Sequence, residues 1–99
     1  MVRLVDEYAG AAQLFAALAD PVRLEVFERI AQAVEPMCVC NLQPNPPIPD
    51  NRLSYHLKVL RDAGLVTSER RGRWVDYTIA PDAEARLAHA LPLSPAVTR

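Results

Sequence analysis

The chain has 99 residues, 51% of them apolar, and a formal net charge of -1. That length fits one small domain whose core is thin enough for a second copy of the chain to help complete it. No apolar run approaches the roughly 20 residues that span a bilayer, and "MVRLVDEYAG" lacks the apolar block of a secretory leader, so a cytoplasmic protein with no membrane partner is expected.

Asp6 is the expected cap of a first helix from Glu7 to about Ala19, in which Tyr8, Ala11, Ala12, Phe15, Leu18 and Ala19 recur at helical spacing. Its alanines leave a flat flank suited to another helix. In "LADPVRLEVFERIAQAV" a second helix starts: Asp20 caps it, Pro21 takes the first position, where a missing N–H is harmless, and the helix runs to about Val34. Glu25 and Arg29 are spaced for an i,i+4 ion pair on its outside. Val22, Leu24, Val26, Phe27 and Ile30 cover more than one stripe, which predicts a central helix buried on several sides.

Pro36 closes that helix. In "MCVCNLQPNPPIPDN" the prolines remove backbone donors and push each preceding residue out of the helical region. An extended, turn-rich path follows, with at most a single turn around Cys38 to Leu42. "DNRLSYHLKVLRDAGL" is the clearest helix, capped by Asp50 and stopped by a left-handed Gly64. Leu53, Leu57 and Leu60 form its apolar stripe. Ser54, Lys58 and Arg61 flank one side, Asn51, Tyr55 and Asp62 lie opposite, and His56 stands near the boundary.

"LVTSERRGRWVDYTIA" changes period and predicts a hairpin around Arg71-Gly72 with a basic tip, Arg70 to Arg73. Val75, Tyr77 and Ile79 alternate with Trp74, Asp76 and Thr78. Pro81 starts a last helix to about Leu91, with Asp82 and Glu84 in the first turn, where the helix dipole favours acids, and Ala83, Leu87, Ala90 and Leu91 on its apolar side. One domain over residues 1–92 and a flexible tail over 93–99 are expected.

Net charge near zero hides a segregation. Residues 1–49 carry 3 basic and 6 acidic side chains, whereas residues 50–73 carry 6 basic (Arg52, Lys58, Arg61, Arg70, Arg71 and Arg73) and 3 acidic. Two solvated faces of opposite sign would explain this. So would a nucleic-acid surface, because helices, a polar-faced helix, an arginine-tipped hairpin and a closing helix together describe a mainly α winged helix-turn-helix. Such a helix fits the major groove, and such a hairpin reaches the backbone or the minor groove.

"LADPVRLEVFERI", "CVCNL", "LSYHLKVLRDAGLV" and "RRGRWVDYTI" fall in the order and nearly the spacing of the ArsR/SmtB family, which this chain resembles from about Leu14 to Pro81. The resemblance implies a metal-responsive repressor, dimerising through its first and last helices, that binds double-stranded operator DNA when metal-free and leaves it when a metal or metalloid binds. The chain departs from the family where a short supporting helix is usual and "QPNPPIPDN" stands instead. On this reading Asn51, Arg52, Ser54, Tyr55, His56 and Lys58 are candidates for the major groove and Arg71 and Arg73 for the wing, with arginine and lysine on phosphates. The plainer reading keeps His56 as a half-buried histidine stacked on the core.

Thiolates are soft ligands, suited to arsenic(III), antimony(III), cadmium, lead or zinc rather than magnesium or calcium. Residues i and i+2 point about 200° apart on a helix but to one side on an extended segment, which the prolines favour. The spacing is read as too short for an ordinary disulfide, which leaves reduced thiols. The resemblance implies that Cys38 and Cys40 capture trivalent arsenic or antimony, with no cofactor needed for folding. A third ligand would come from water, a small thiol, or Asp6 or Glu7 of a partner copy. Asp82, Glu84 and His89 are a weak alternative set on the last helix.

Three other readings stay open: a divalent-metal or redox switch at the same thiols, two core cysteines under a loop, and a winged protein-binding module without DNA. A thiol-disulfide enzyme is disfavoured, since C-x-C is not C-x-x-C and no βαβ unit surrounds it. No catalytic site is expected, because no oxyanion site or third group accompanies Ser54 and His56.

Overall fold

A computed structural model describes residues 4–93; residues 1–3 and 94–99, most of the expected tail, lie outside the described residues. Five helical and three strand segments follow in the order α1 (Val5–Leu18), α2 (Pro21–Gln32), β1 (Met37–Cys38), a 3-10 turn (Val39–Asn41), α3 (Asp50–Asp62), β2 (Val66–Arg71), β3 (Trp74–Ile79) and α4 (Ala83–Ala90). They form a mainly α winged helix-turn-helix: four α-helices packed on a small antiparallel sheet in the order β1-β3-β2.

Helix α1 begins earlier than expected. Leu4, not Asp6, is its cap, and the Glu7 carboxylate accepts from the Leu4 N–H at 2.8 Å while Asp6 lies within the first turn. Helix α2 follows its sequence signals closely: Asp20 Oδ1 accepts from the Val22 and Arg23 N–H groups at 2.8 and 3.0 Å, and Pro21 is the first helical residue. It ends at Gln32 rather than Val34. Val26, Phe27 and Ile30 are buried in the core, but Leu24 is 52% exposed, so the helix buries one wide stripe rather than several sides.

The stripe of α3 is buried as expected, with Leu53, Leu57 and Leu60 set against Leu42, Leu65 and Val66. Burying one such side chain contributes about 1.5–3 kcal/mol. Pro49 is the α3 cap and Asp50 the first helical residue, which corrects the expected Asp50 cap. At the far end Gly64 adopts φ +77°; its N–H reaches the Arg61 carbonyl at 2.9 Å and the Leu65 N–H reaches Leu60 at 3.0 Å, the paired bonds of a Schellman stop.

In the hairpin, Val66 pairs with Ile79 and Arg71 with Trp74, so the turn is Gly72-Arg73, one residue later than expected, with Gly72 at φ +64° as a two-residue turn requires. Strand β1 pairs with the other edge of β3, Met37 opposite Tyr77 and Cys38 opposite Asp76. Helix α4 is shorter than expected, and its neighbour Leu91 is exposed rather than packed. No helix among the described residues is long and apolar enough to cross a membrane.

Candidate DNA-reading face and thiol turn

Helix α3 presents Asn51, Arg52, Ser54, Tyr55 and Lys58 to solvent, because each falls off the Leu53-Leu57-Leu60 stripe. Five of the six expected groove residues therefore share an accessible surface. His56 does not, and the structure corrects its place on that surface: it is 7% exposed and turned inward. Its Nδ1 lies 3.1 Å from Arg23 Nη1, and since a guanidinium only donates, Nδ1 accepts. Arg23 also donates to the Ala17 and Ala16 carbonyls at 2.7 and 3.4 Å, filling the open end of α1. His56 thereby ties α3 to the α1–α2 corner.

At the wing tip Arg73 and Arg71 are both exposed. The Arg73 guanidinium sits 5.9 Å from the Trp74 ring centroid, within cation–π range. Arg71 is engaged: Nε and Nη2 donate to the two Asp76 carboxylate oxygens at 2.8 and 3.1 Å. That fork holds the Asp76 carboxyl below its usual range and raises the Arg71 guanidinium. On α3, Lys58 donates to Asp62 at 2.6 Å, which lowers the Asp62 carboxyl.

The thiol segment is extended up to Cys38 and then makes the single turn expected between Cys38 and Leu42. Cys38 ends a strand at φ -63°, ψ 140°, and Cys40 lies in the 3-10 turn that follows. This junction brings the two sulfurs to one side and into contact, with the Cα atoms 5.1 Å apart. Cys38 is buried and Cys40 exposed. Cys40 opens onto a cavity of about 250 Å³ that also touches Gln43, Asp50 and Ser54 of the α3 approach and Trp74 of the wing.

No three His, Cys, Asp or Glu side chains gather as a ligand set among the described residues. The protomer's own Asp6 and Glu7 therefore do not complete the thiol pair, nor do Asp82, Glu84 and His89 form a second set. A separate groove of about 560 Å³ runs between α1 and α4, along Gly10, Ala11, Leu14, Ala85, Arg86 and His89.

From Leu42 to Pro49 the chain has no helix at all, so the proline segment replaces the supporting helix outright. It is pinned by side chains instead. Arg29 donates to the Gln43 carbonyl at 2.8 Å and pairs with Glu25 at 3.1 Å, the expected i,i+4 partner, while Glu25 also accepts from the Asn45 N–H at 3.2 Å. Arg23, Gln43, Trp74 and Asp76 thus join the site without having been expected there. Only Arg23 had a signal in the chain order, since it follows the capped Asp20-Pro21 start.

A helix offering polar side chains beside a basic hairpin, with a thiol turn between them, defines a winged helix-turn-helix regulator rather than an enzyme. The sequence matches the family described as "Helix-turn-helix domain" over residues 18–69. It is 43% identical over 67 residues to the arsenical resistance operon repressor of Bacillus subtilis, covering 68% of this chain and 63% of that protein. Its fold matches an ArsR-like transcriptional regulator from Rhodococcus sp. RHA1 with a TM-score of 0.70 and 30% identity, over 85% of this chain and 77% of the other. It also matches the homodimeric winged helix-turn-helix DNA-binding domain of a possible ArsR-family regulator from Mycobacterium bovis, with a TM-score of 0.67 and 29% identity, over 80% and 71% of the two chains. The chain belongs to the ArsR/SmtB family of winged helix-turn-helix transcriptional regulators. It spans just under two thirds of the length of the Bacillus repressor.

Proposed function

We propose that this chain represses transcription by binding double-stranded operator DNA as a homodimer, and that trivalent arsenic or antimony at Cys38 and Cys40 releases it. One observation carries the effector: the Cys38 sulfur lies against that of Cys40, and Cys40 lines a cavity whose other walls include the start of α3 and Trp74 of the wing. In reduced form the pair offers two soft thiolates on one side, which suits a thiophilic ion. When bound, the ion would hold the strand-to-turn bend through both sulfurs. Water, a small thiol or a carboxylate from the partner's N-terminal segment completes a trigonal set. Cadmium, lead and zinc are the alternative ions.

For DNA, Asn51, Ser54 and Tyr55 are placed to reach base edges and Arg52, Lys58, Arg71 and Arg73 to meet phosphates. For the dimer, exposed Leu4, Val5, Tyr8 and Phe15 on and beside α1 and Leu91 and Leu93 beyond α4 give the apolar surface, next to the α1–α4 groove. The Mycobacterium bovis relative is a homodimer by its description.

The test is fluorescence anisotropy of a labelled fragment from upstream of the chain's own coding sequence. Arsenite is expected to release wild-type protein and to leave Cys38→Ser/Cys40→Ser bound. Equal release of both forms ends the sensor reading, and no salt-dependent binding at low salt ends the repressor reading. The contact between the Cys38 and Cys40 sulfurs favours a second reading, in which peroxide oxidises the two thiols to a disulfide, itself becoming water, and thereby switches DNA binding. Release by peroxide but not by arsenite selects that reading.

A further inference from the structure

Gln43 lies three residues after Cys40 and directly follows Leu42, which is fully buried and fixes the chain there. Its backbone carbonyl is tied to α2 by Arg29 at 2.8 Å. Its side-chain carbonyl accepts from the Ile48 N–H at 2.9 Å, and its amide nitrogen donates to Asp50 Oδ1 at 3.1 Å. One side chain therefore bridges the loop, from the thiol turn to the first residue of α3, and lines the same cavity as Cys40.

The loop needs such a bridge. Pro44, Pro46, Pro47 and Pro49 have no N–H, so the backbone offers few donors of its own to set the path. The two bonds also demand opposite characters, an acceptor toward Ile48 and a donor toward a carboxylate. A neutral amide supplies both, and a carboxylate at this position would keep the first and repel Asp50.

We propose that Gln43 is the positioning residue through which the state of the Cys38–Cys40 turn reaches the recognition helix. The inference rests on the thiol-sensing reading above. A change in the Val39–Asn41 turn shifts the Gln43 carbonyl against Arg29, and the amide carries that shift to Asp50 and the first turn of α3. With no supporting helix between thiols and α3, this hydrogen-bonded bridge is the short path between them.

The experiment compares full-length wild type, Gln43→Glu, and Gln43→Glu combined with Asp50→Asn, in which donor and acceptor trade places and the Ile48 bond is kept. Capture of sodium arsenite is read from emission of Trp74, the chain's single tryptophan, which shares the cavity with Cys40. Release is read as the factor by which arsenite weakens binding to the upstream DNA fragment. All three forms are expected to capture arsenite at similar concentrations. Wild type is expected to lose DNA affinity by about tenfold or more, within the usual range of coupling, Gln43→Glu by less than about threefold, and the swap to regain most of the wild-type factor. A wild-type factor in Gln43→Glu, or no recovery in the swap, overturns the role of Gln43. Should Gln43→Glu fail to fold by circular dichroism, Gln43→Ala removes both bonds without repulsion and must show the same loss of release. A wild type with neither a Trp74 response nor release overturns the thiol reading itself, and the bridge falls with it.

Discussion

Cys38 stands directly across the β1–β3 ladder from Asp76, and the Asp76 carboxylate grips Arg71 near the wing tip through two hydrogen bonds of 2.8 and 3.1 Å. The thiol turn and the wing are thus neighbours across one rung of a sheet. Arg71 carries a full charge toward the proposed DNA surface, but Asp76 neutralises much of it.

Asp76→Asn keeps the side-chain size and the strand register while removing the neutralising charge. Binding to DNA at low salt is expected to tighten a few-fold. The salt dependence should steepen by about one ion if the freed Arg71 guanidinium settles on a phosphate. Anisotropy titrations across a salt series measure both. Weaker binding would show instead that the Arg71–Asp76 fork shapes the wing and that its charge balance matters less.

His56 and Lys58 sit two residues apart on α3 and are expected to fail in different ways. Lys58→Ala removes an exposed charge and should lower the salt slope by about one, the share of a single neutralised phosphate, with little effect on folding. His56→Ala leaves Arg23 Nη1 without its buried acceptor and should cost about 1–3 kcal/mol in urea unfolding. Its DNA affinity should fall with an unchanged salt slope. A reduced slope in His56→Ala would return the histidine to the DNA surface.

The contrast between these two residues marks what the sequence could disclose. Period and capping placed α2, α3 and the hairpin closely, because Asp20-Pro21, Gly64 and the Leu53-Leu57-Leu60 stripe act through local backbone geometry. The exposed residues of α3 were legible wherever they simply fell off that stripe. His56 sits on its edge, and its fate turned on Arg23, 33 positions away, which no local pattern encodes. Strand β1 was hidden for the same reason: Met37 and Cys38 are two residues long, and only pairing with Tyr77 and Asp76 makes them a strand. Gln43 looked like one polar residue before a run of prolines, and its role depends on both Arg29 and Asp50 closing around it.

The end of the recognition helix offers a sharper test of local geometry. Gly64 adopts φ +77°, and a Cβ there would lie 2.6 Å from Arg86 Nη1. Arg86 of α4 donates to the Gly64 and Ala63 carbonyls at 2.8 and 3.0 Å, capping the negative end of α3. Gly64→Ala therefore meets two penalties: the left-handed conformation, about 1–2 kcal/mol, and displacement of the guanidinium from the helix end. Urea unfolding should show a larger loss for Gly64→Ala than for Arg86→Ala, since the second keeps the glycine conformation. The reverse order would mean that the Arg86 cap, and not the backbone conformation, dominates this helix stop.

Asp20 links stability to pH with a definite sign. The hydrogen bond from the Arg23 N–H, then that from Val22, with positive charge nearby, hold its carboxyl below the usual 3.8 against the opposing effect of burial. The unfolded chain therefore takes up the proton first. The cap contributes fully above the ordinary carboxylate range, and its contribution fades as the pH falls through the lowered folded value. At neutral pH Asp20→Ala should cost about 0.5–2 kcal/mol, whereas Asp20→Asn, which can still accept from both N–H groups, should cost less. Urea midpoints measured from neutral pH down to about pH 2 should show the gap between wild type and Asp20→Ala closing at the acid end. The gap between Asp20→Asn and Asp20→Ala, which involves no carboxylate, should persist there. A wild-type gap that stays constant at low pH would mean that Asp20 stabilises α2 through its shape at the corner and not through its charge.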